Sequence, residues 1–303
     1  MIHTKSGAAA LSIASNSTLI AIKLAAGVIT GSIAIITEAV HSLIDLVASI
    51  VAFVSVRKSD VPADADHPYG HEKVESLAAT IEGLLILVGA AIIVYEAIHR
   101  LVTGAKVETL GVGIAVMGLS VVANLLVSAV LSRQAKVHDS PALAGDAAHL
   151  RTDAFTSAGV LVGLAVVQVT GLVAFDSITA LVVATAIVYA GLQIVRSSSG
   201  VLVDEALPEA EMDRIESAIA AARTPEVAGY HKLRARRGGR RRYIDLHVQY
   251  RSGTTLERAH ESTHDLRRSI EAAIPSAEVL IHAEPETSLR DPSDARSGPF
   301  RAG

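Results

Sequence analysis

Two short stretches repeat one spacing of one pair of residue types. "HSLID" sets His41 four residues before Asp45, and "HLRTD" sets His149 four residues before Asp153. On a helix, positions i and i+4 share a face. Two imidazoles and two carboxylates converging from two helices form the nitrogen and oxygen set of a tetrahedral divalent-metal site, with bonds of about 2 Å to Zn²⁺. One such pair alone would equally fit an intrahelical hydrogen bond or polar residues facing a water cavity. The recurrence in two apolar segments favours shared ligation, because ionisable side chains at membrane depth are costly and as a rule functional.

Two further groups have ligand chemistry. In "ADADHPYGHEKVES", Asp64, His67 and His71 are candidate ligands, with Pro68 and Gly70 bending the chain so that both rings face one point. The alternative is that Asp64 and Asp66 are loop residues near helix ends. Nearer the C-terminus, His231, His247, His260, His282 and Glu284 are scattered in sequence but fall on neighbouring expected elements, and surface histidines are the alternative there. "HESTH", residues 260–264, also matches the zinc-protease pattern of two ligands and a general base. No third protease ligand follows in a usable arrangement, so Glu261 and His264 need no special role.

The composition supplies the setting for these groups. Half of the 303 residues are hydrophobic, 19% are charged, and the mean hydropathy is positive. That profile is a membrane one. A net charge of -4 gives no reason to expect nucleic acid, and the absence of cysteine excludes disulfides and thiolate metal sites. Uncharged runs at Thr109–Ser132, Ala154–Phe175 and Ser177–Val195 are long enough to span a bilayer as helices. Three more runs are interrupted only by isolated ionisable residues: Ser6–Thr37 by Lys23, the segment around His41 and Asp45 up to Val56, and Ser76–Tyr95 by Glu82. Six spans are expected. Lys23 is expected to snorkel, and Glu82 and Asn124 to make interhelical hydrogen bonds. Lys5, Arg57, Lys58, Lys73, Arg133, Lys136 and Arg196 fall on one side against Arg100 and Lys106 on the other, which puts both termini in the cytoplasm.

After "RSSSGVLVDEALP" the charge density rises and the pattern reads helix (209–223), strand (231–236), strand (241–250), helix (255–274), strand (278–282). This is a small α+β domain of order αββαβ, with "RRGGRR" expected to close its hairpin in a type I′ turn. The domains are therefore 1–200, a six-span membrane domain; 201–286, a cytoplasmic domain that carries candidate metal ligands; and 287–303, a tail expected to be disordered.

Taken together, "TEAVHSLIDLVAS", "DHPYGHEKVESL", "GDAAHLRTDAFTS", "LVDEALP" and "VLIHAEP" resemble the cation diffusion facilitators, the dimeric, proton-coupled exporters of divalent metal, over nearly the whole chain. The resemblance implies an integral protein of a bacterial inner membrane, lying in lipid as a homodimer, with a metallochaperone-like, ferredoxin-like cytoplasmic domain. It implies transport through His41, Asp45, His149 and Asp153, a loop site at Asp64, His67 and His71, and a cytoplasmic binuclear site at His231, His247, His260, His282 and Glu284. It also implies a salt bridge between Lys73 and Asp204 at the dimer interface. Relatives often carry Asp where this chain has Glu284. The expected activity is antiport of Zn²⁺ against protons, with Zn²⁺ both carried and structural, by a secondary transporter rather than an enzyme. Broader traffic in Fe²⁺, Cd²⁺, Co²⁺ or Mn²⁺, a metal-permeable channel and a membrane metalloenzyme are the alternatives; four protein ligands argue against an open catalytic site.

Many bacterial relatives carry Asp at the position of His41. Imidazole suits Zn²⁺, whereas added carboxylate favours harder or larger ions. His41→Asp should therefore raise Cd²⁺ flux relative to Zn²⁺ in proteoliposomes while Zn²⁺ flux persists. An unchanged ratio, in a protein that already carries both ions equally, would mean that His41 does not set selectivity.

Overall fold

The structure is a computed structural model in which residues 4–30, 33–103, 111–170, 174–288 and 298–299 are described. Long apolar runs in its first part become six helices: α1 (Lys5–Thr30), α2 (Ile33–Ser59), α3 (Lys73–Thr103), α4 (Gly111–His138), α5 (Pro141–Thr170) and α6 (Ala174–Leu202). The shortest has 26 residues, about 39 Å at 1.5 Å per residue, against roughly 30 Å of hydrocarbon. Among the described residues, the apolar stretches of α1, α3, α4 and α6 are long and apolar enough to cross a membrane. The other two helices, α2 and α5, carry the His/Asp pairs. Lys106 and the connection at 171–173 lie outside the described residues.

The bundle is ordered as a protein in lipid would be. Small residues, among them Ala8, Ala9, Ala52, Ala90, Ala142 and Ala154, are buried where helices meet, which lets backbones approach closely. Large apolar side chains such as Val28, Val88, Ile92, Leu126 and Val182 face outward. α4 runs beside α5 and α1 beside α2, while α3 packs on α5 and α2 touches both. α5 begins at Pro141, well before the uncharged run that marked its span: Ser140 Oγ accepts from the Leu143 N–H at 3.4 Å, and Pro141 fills the first helical position. The segment carrying Asp146, His149 and Asp153 is thereby helical and turned inward.

The chain divides into two compact units, residues 1–199 and 200–303. In the second, α7 (Glu209–Ala221), β1 (Val227–Gly238), β2 (Arg241–Tyr250), α8 (Leu256–Ala273) and β3 (Ala277–Pro285) follow in the expected αββαβ order. β1 pairs antiparallel with β2, and β2 parallel with β3. Gly298–Pro299, within the tail, form a short β4 against Gly229 and Tyr230; most of the tail lies outside the described residues. Alternation along β2 sends Ile244, Leu246, Val248 and Tyr250 into the core, where they meet Met212, Ile215 and Ile219 of α7 and Leu266 and Ile270 of α8. Thr255 caps α8 by accepting from the Arg258 N–H. The hairpin differs from expectation in one respect. Gly238 stays paired with Arg241, and of the two turn residues only Gly239 has positive φ (66°), which is the type II′ rather than the type I′ pattern.

Leu266 is fully buried at the centre of this core. Leu266→Ala should cost about 2–5 kcal/mol, read as a lowered denaturation midpoint of the cytoplasmic domain by circular dichroism; an unchanged midpoint would place Leu266 outside the core.

Candidate metal centres

Three groups of ligand-type side chains close to within 4.8 Å, atom to atom, and each contains residues singled out above. In the bundle, Asp45 of α2 meets His149 and Asp153 of α5. His149 Nε2 lies 3.3 Å from Asp45 Oδ1 and 3.8 Å from Asp153 Oδ2. A tetrahedral ion with bonds of about 2 Å separates its ligand atoms by roughly 3.3 Å, so one Zn²⁺-sized cation fits between these three atoms with little movement. Asp45 and His149 are buried and Asp153 is half-buried. His41 stands on α2 one turn before Asp45, but its side chain lies outside the described residues.

The helix pairs around this centre are joined by hydroxyls. Ser49 Oγ, on α2, accepts from Asn16 Nδ2 of α1 at 2.9 Å and lies 2.9 Å from Ser12 Oγ. Ser128 Oγ of α4 donates to the Ala147 carbonyl at 2.6 Å. Lys23 does not snorkel. It is buried, and its Nζ donates to Ser42 Oγ at 2.7 Å, because the Ser42 face of α2 turns toward α1 and reaches the ammonium before solvent does. Glu82 and Asn124 also depart from expectation: Glu82 Oε1 and Oε2 and Asn124 Oδ1 have no hydrogen-bond partner among the described residues.

The loop group is built by a turn. Asp64 Oδ1 accepts from the backbone N–H groups of Asp66 (3.1 Å) and His67 (2.7 Å), an arrangement that the short Asp side chain favours. Gly70, at φ +86°, lets the chain double back. His67 Nδ1 then lies 3.3 Å from Asp64 Oδ1 and His71 Nε2 3.4 Å from Asp64 Oδ2, with the two rings 4.4 Å apart. The backbone hydrogen bond from His67 is the main reason that the Asp64 carboxyl sits below its ordinary pKa, with the two imidazoles adding to it. Asp64 thus shapes its turn and offers a ligand oxygen together.

In the cytoplasmic domain, strand register makes the site. His231 of β1 is opposite His247 of β2, which is opposite His282 of β3, so three imidazoles form a row on the sheet face away from the core. Ring centroids are 5.1 Å apart for His231 and His247 and 4.7 Å for His247 and His282. Glu284, two residues beyond His282 and on the same face, hydrogen-bonds His231 Nε2 through Oε1 and lies 3.3 Å from His247 Nδ1 through Oε2. Burial opposes ionisation of Glu284, but the hydrogen bonds from His231 and His247, and then their charge, outweigh it and hold the carboxyl below its ordinary range. A β-bulge follows His231, where the register shifts and Lys232 takes φ 51°. It returns Leu233 to the core while leaving His231 on the other face.

His260 is not brought to this group. It is exposed on α8, its ring 4.5 Å from that of His264, and α8 packs its Ala259, Leu266 and Ile270 face on the opposite side of the sheet. Asp204, expected to bridge to Lys73 across a dimer, accepts from Arg236 Nη1 at 2.9 Å within its own unit; Lys73 is the first residue of α3. Two buried groups escaped the sequence analysis. Asp146 was absorbed into its motif, although an acid inside a span is itself the signal. Glu75 has no ligand spacing to mark it, but it accepts from Lys5 Nζ at 2.9 Å and from Ser59 Oγ and Ser140 Oγ, tying the ends of α1, α2 and α3 to the start of α5.

Residues 9–203 match the cation efflux transmembrane domain and residues 207–286 the cation efflux protein, cytoplasmic domain. The chain belongs to the cation efflux, or cation diffusion facilitator, family: it is a membrane transporter of divalent metal with a dimerisation domain at its C-terminal side. It is 34% identical over 284 residues to an uncharacterized transporter of Synechocystis, covering 94% of this chain and 90% of that one. It is also 32% identical over 274 residues to the cation-efflux pump FieF of Shewanella oneidensis, covering 90% and 92%. Among solved structures, the metal-bound C-terminal domain of the CzcD transporter from Thermotoga maritima is 28% identical over 28% of this chain and 100% of that one, with a TM-score of 0.25.

Glu284 touches both His231 and His247, so Glu284→Gln should weaken Zn²⁺ binding by the cytoplasmic domain by about tenfold or more, measured by isothermal titration calorimetry. Unchanged affinity would remove Glu284 from the ligand set.

Proposed function

We propose that the chain exports Zn²⁺ from the cytosol in exchange for protons, by alternating access, as a homodimer with both termini in the cytoplasm. The observation that carries this reading is the closure of Asp45, His149 and Asp153 to tetrahedral-edge distances inside a bundle of spanning helices, with His41 one turn away to supply the fourth ligand. A site enclosed by spans can move its ion only if the helices holding it open to each side in turn. The same atoms bind either metal or protons, since Zn²⁺ requires ionised Asp and neutral His. Protons arriving from outside therefore displace the ion, and the pH gradient drives export. Two imidazoles among the four proposed ligands support zinc over harder ions.

The cytoplasmic site, His231, His247, Glu284 and neighbouring His282, has the donors for a resident Zn²⁺. His260 can join it only from a second copy, which is consistent with a site that favours the dimer. The loop group, Asp64, His67 and His71, is proposed to bind metal on the cytosolic side. Lys73 and Asp204 are proposed to pair between protomers, with Lys73 competing for the carboxylate that Arg236 now holds.

Asp153→Ala removes a half-buried member of this group. Stopped-flow flux in proteoliposomes should fall to the level of empty vesicles, with the dimer retained by size-exclusion chromatography. Wild-type Zn²⁺ flux should saturate and respond to a pH gradient. Full flux in the variant would overturn the site, and wild-type flux indifferent to the gradient would overturn proton exchange.

A further inference from the structure

Glu82, on α3, is completely buried, and among the described residues neither of its carboxylate oxygens meets a hydrogen-bond donor. Asp146, on α5, is also completely buried; its Oδ1 accepts from Ser49 Oγ at 3.1 Å while Oδ2 has no partner. Glu82 Oε2 lies against Gly145, the residue before Asp146, where an added Cβ would collide with it. The missing side chain of Gly145 thus makes the space into which Glu82 points, beside Asp146.

From α5, Asp146 and His149 are the charged groups that act on Glu82. From α1 and α2, Ser12 and Ser49 bond to Asp146. The α6 residues against this stretch of α3, Ile194 and Val195, are apolar. No Lys or Arg among the described residues acts on either carboxylate, and neither belongs to the group Asp45, His149, Asp153. Two carboxylates enclosed together in a low dielectric, with no Lys or Arg, too few donors, and His149 already shared between Asp45 and Asp153, cannot both stay ionised.

We propose that Glu82 and Asp146 form a proton-binding site, distinct from the metal ligands, that holds one shared proton when the transport site is free of metal. The inference rests on the proton-exchange reading and says where a counter-ion resides. A divalent ion bound by Asp45, His149 and Asp153 adds two positive charges beside the pair. The O–H bond of the shared carboxyl then breaks, its electron pair stays on the oxygen, and the proton leaves to water on the side to which the bundle is open. Loss of the metal restores the proton. Because coupling between two bound species is reciprocal, a proton on the pair lowers metal affinity by the factor with which metal lowers proton affinity.

The test uses the full-length protein in detergent, with Zn²⁺ titrated calorimetrically in buffers of different ionisation enthalpy to count protons released per metal bound. Glu82→Gln and Asp146→Asn should each bind the same number of Zn²⁺ ions as wild type but release about one proton fewer per transported-site ion. Proton counts equal to wild type in both variants would overturn the proposal. Infrared difference spectra of the wild-type protein give a reading that needs no variant. The C=O stretch of a protonated carboxyl should be present without metal and lost with Zn²⁺, and its absence in the metal-free protein would equally sink the idea. The broader reading fails differently: if wild-type flux ignores a pH gradient, proton exchange itself is wrong. A gradient-sensitive wild type with unchanged proton counts in both variants brings down this site alone.

Discussion

Carboxylates and imidazoles enclosed among apolar helices are the constraint on which this molecule is built. Two unit charges 4 Å apart interact by about 4 kcal/mol at an effective dielectric of 20, so Asp45 and Asp153, both within 4 Å of His149 Nε2, repel each other unless something positive lies between. A divalent cation answers that requirement directly and protons answer it less completely. On the function proposed above, metal and protons would exclude each other at this centre for electrostatic reasons. The bundle's other features serve the approach of α2 to α5: alanines at the crossings, serine hydroxyls bridging helices, and large apolar groups turned outward. A cavity-filling side chain at the crossings would separate the ligands as surely as deleting one of them.

The cytoplasmic domain solves a different problem, that of holding polar groups rigidly in a small structure. Strand alternation gives its sheet one face for the core and one for chemistry, and the pairing of His231, His247 and His282 across three strands makes a row that no sequence spacing displays. The bulge after His231 is what keeps both faces correct, since in unbroken alternation Leu233, two residues on, would share the His231 face and leave the core. The same two-sidedness explains why His260 is absent from the group: its helix covers the other face. On the proposed function, a site that needs His260 would recruit it from a second copy, tying metal occupancy to association.

The three centres differ in what makes them. In the loop, a single carboxylate both closes the turn and offers an oxygen to the two imidazoles, so folding of a few local residues is enough. In the cytoplasmic domain the register of a sheet is required, and in the bundle the packing of helices far apart in sequence. Sensitivity to distant substitutions should rise in that order, because more of the fold stands behind each ligand position.

Local pattern settled much of this protein from the sequence. The i, i+4 pairs, the apolar runs, and the switch to αββαβ periodicity after residue 200 each depend on residues a few positions apart, where backbone geometry leaves little choice. The closeness of Asp64, His67 and His71 was legible for the same reason. What only tertiary structure decided depends on which surfaces meet. Asp45 to His149 spans 104 positions, and His260, near His247 and His282 in sequence, lies on the wrong side of the sheet. Lys23 was expected at the membrane surface, yet the serine that holds it is on another helix. Glu82 was expected to find a donor, yet its carboxylate lies against Gly145 of α5 and meets none among the described residues. Sequence reports how polar a residue is and which way its own helix or strand turns it; the partner that satisfies or fails to satisfy that polarity comes from elsewhere in the chain, and packing alone selects it.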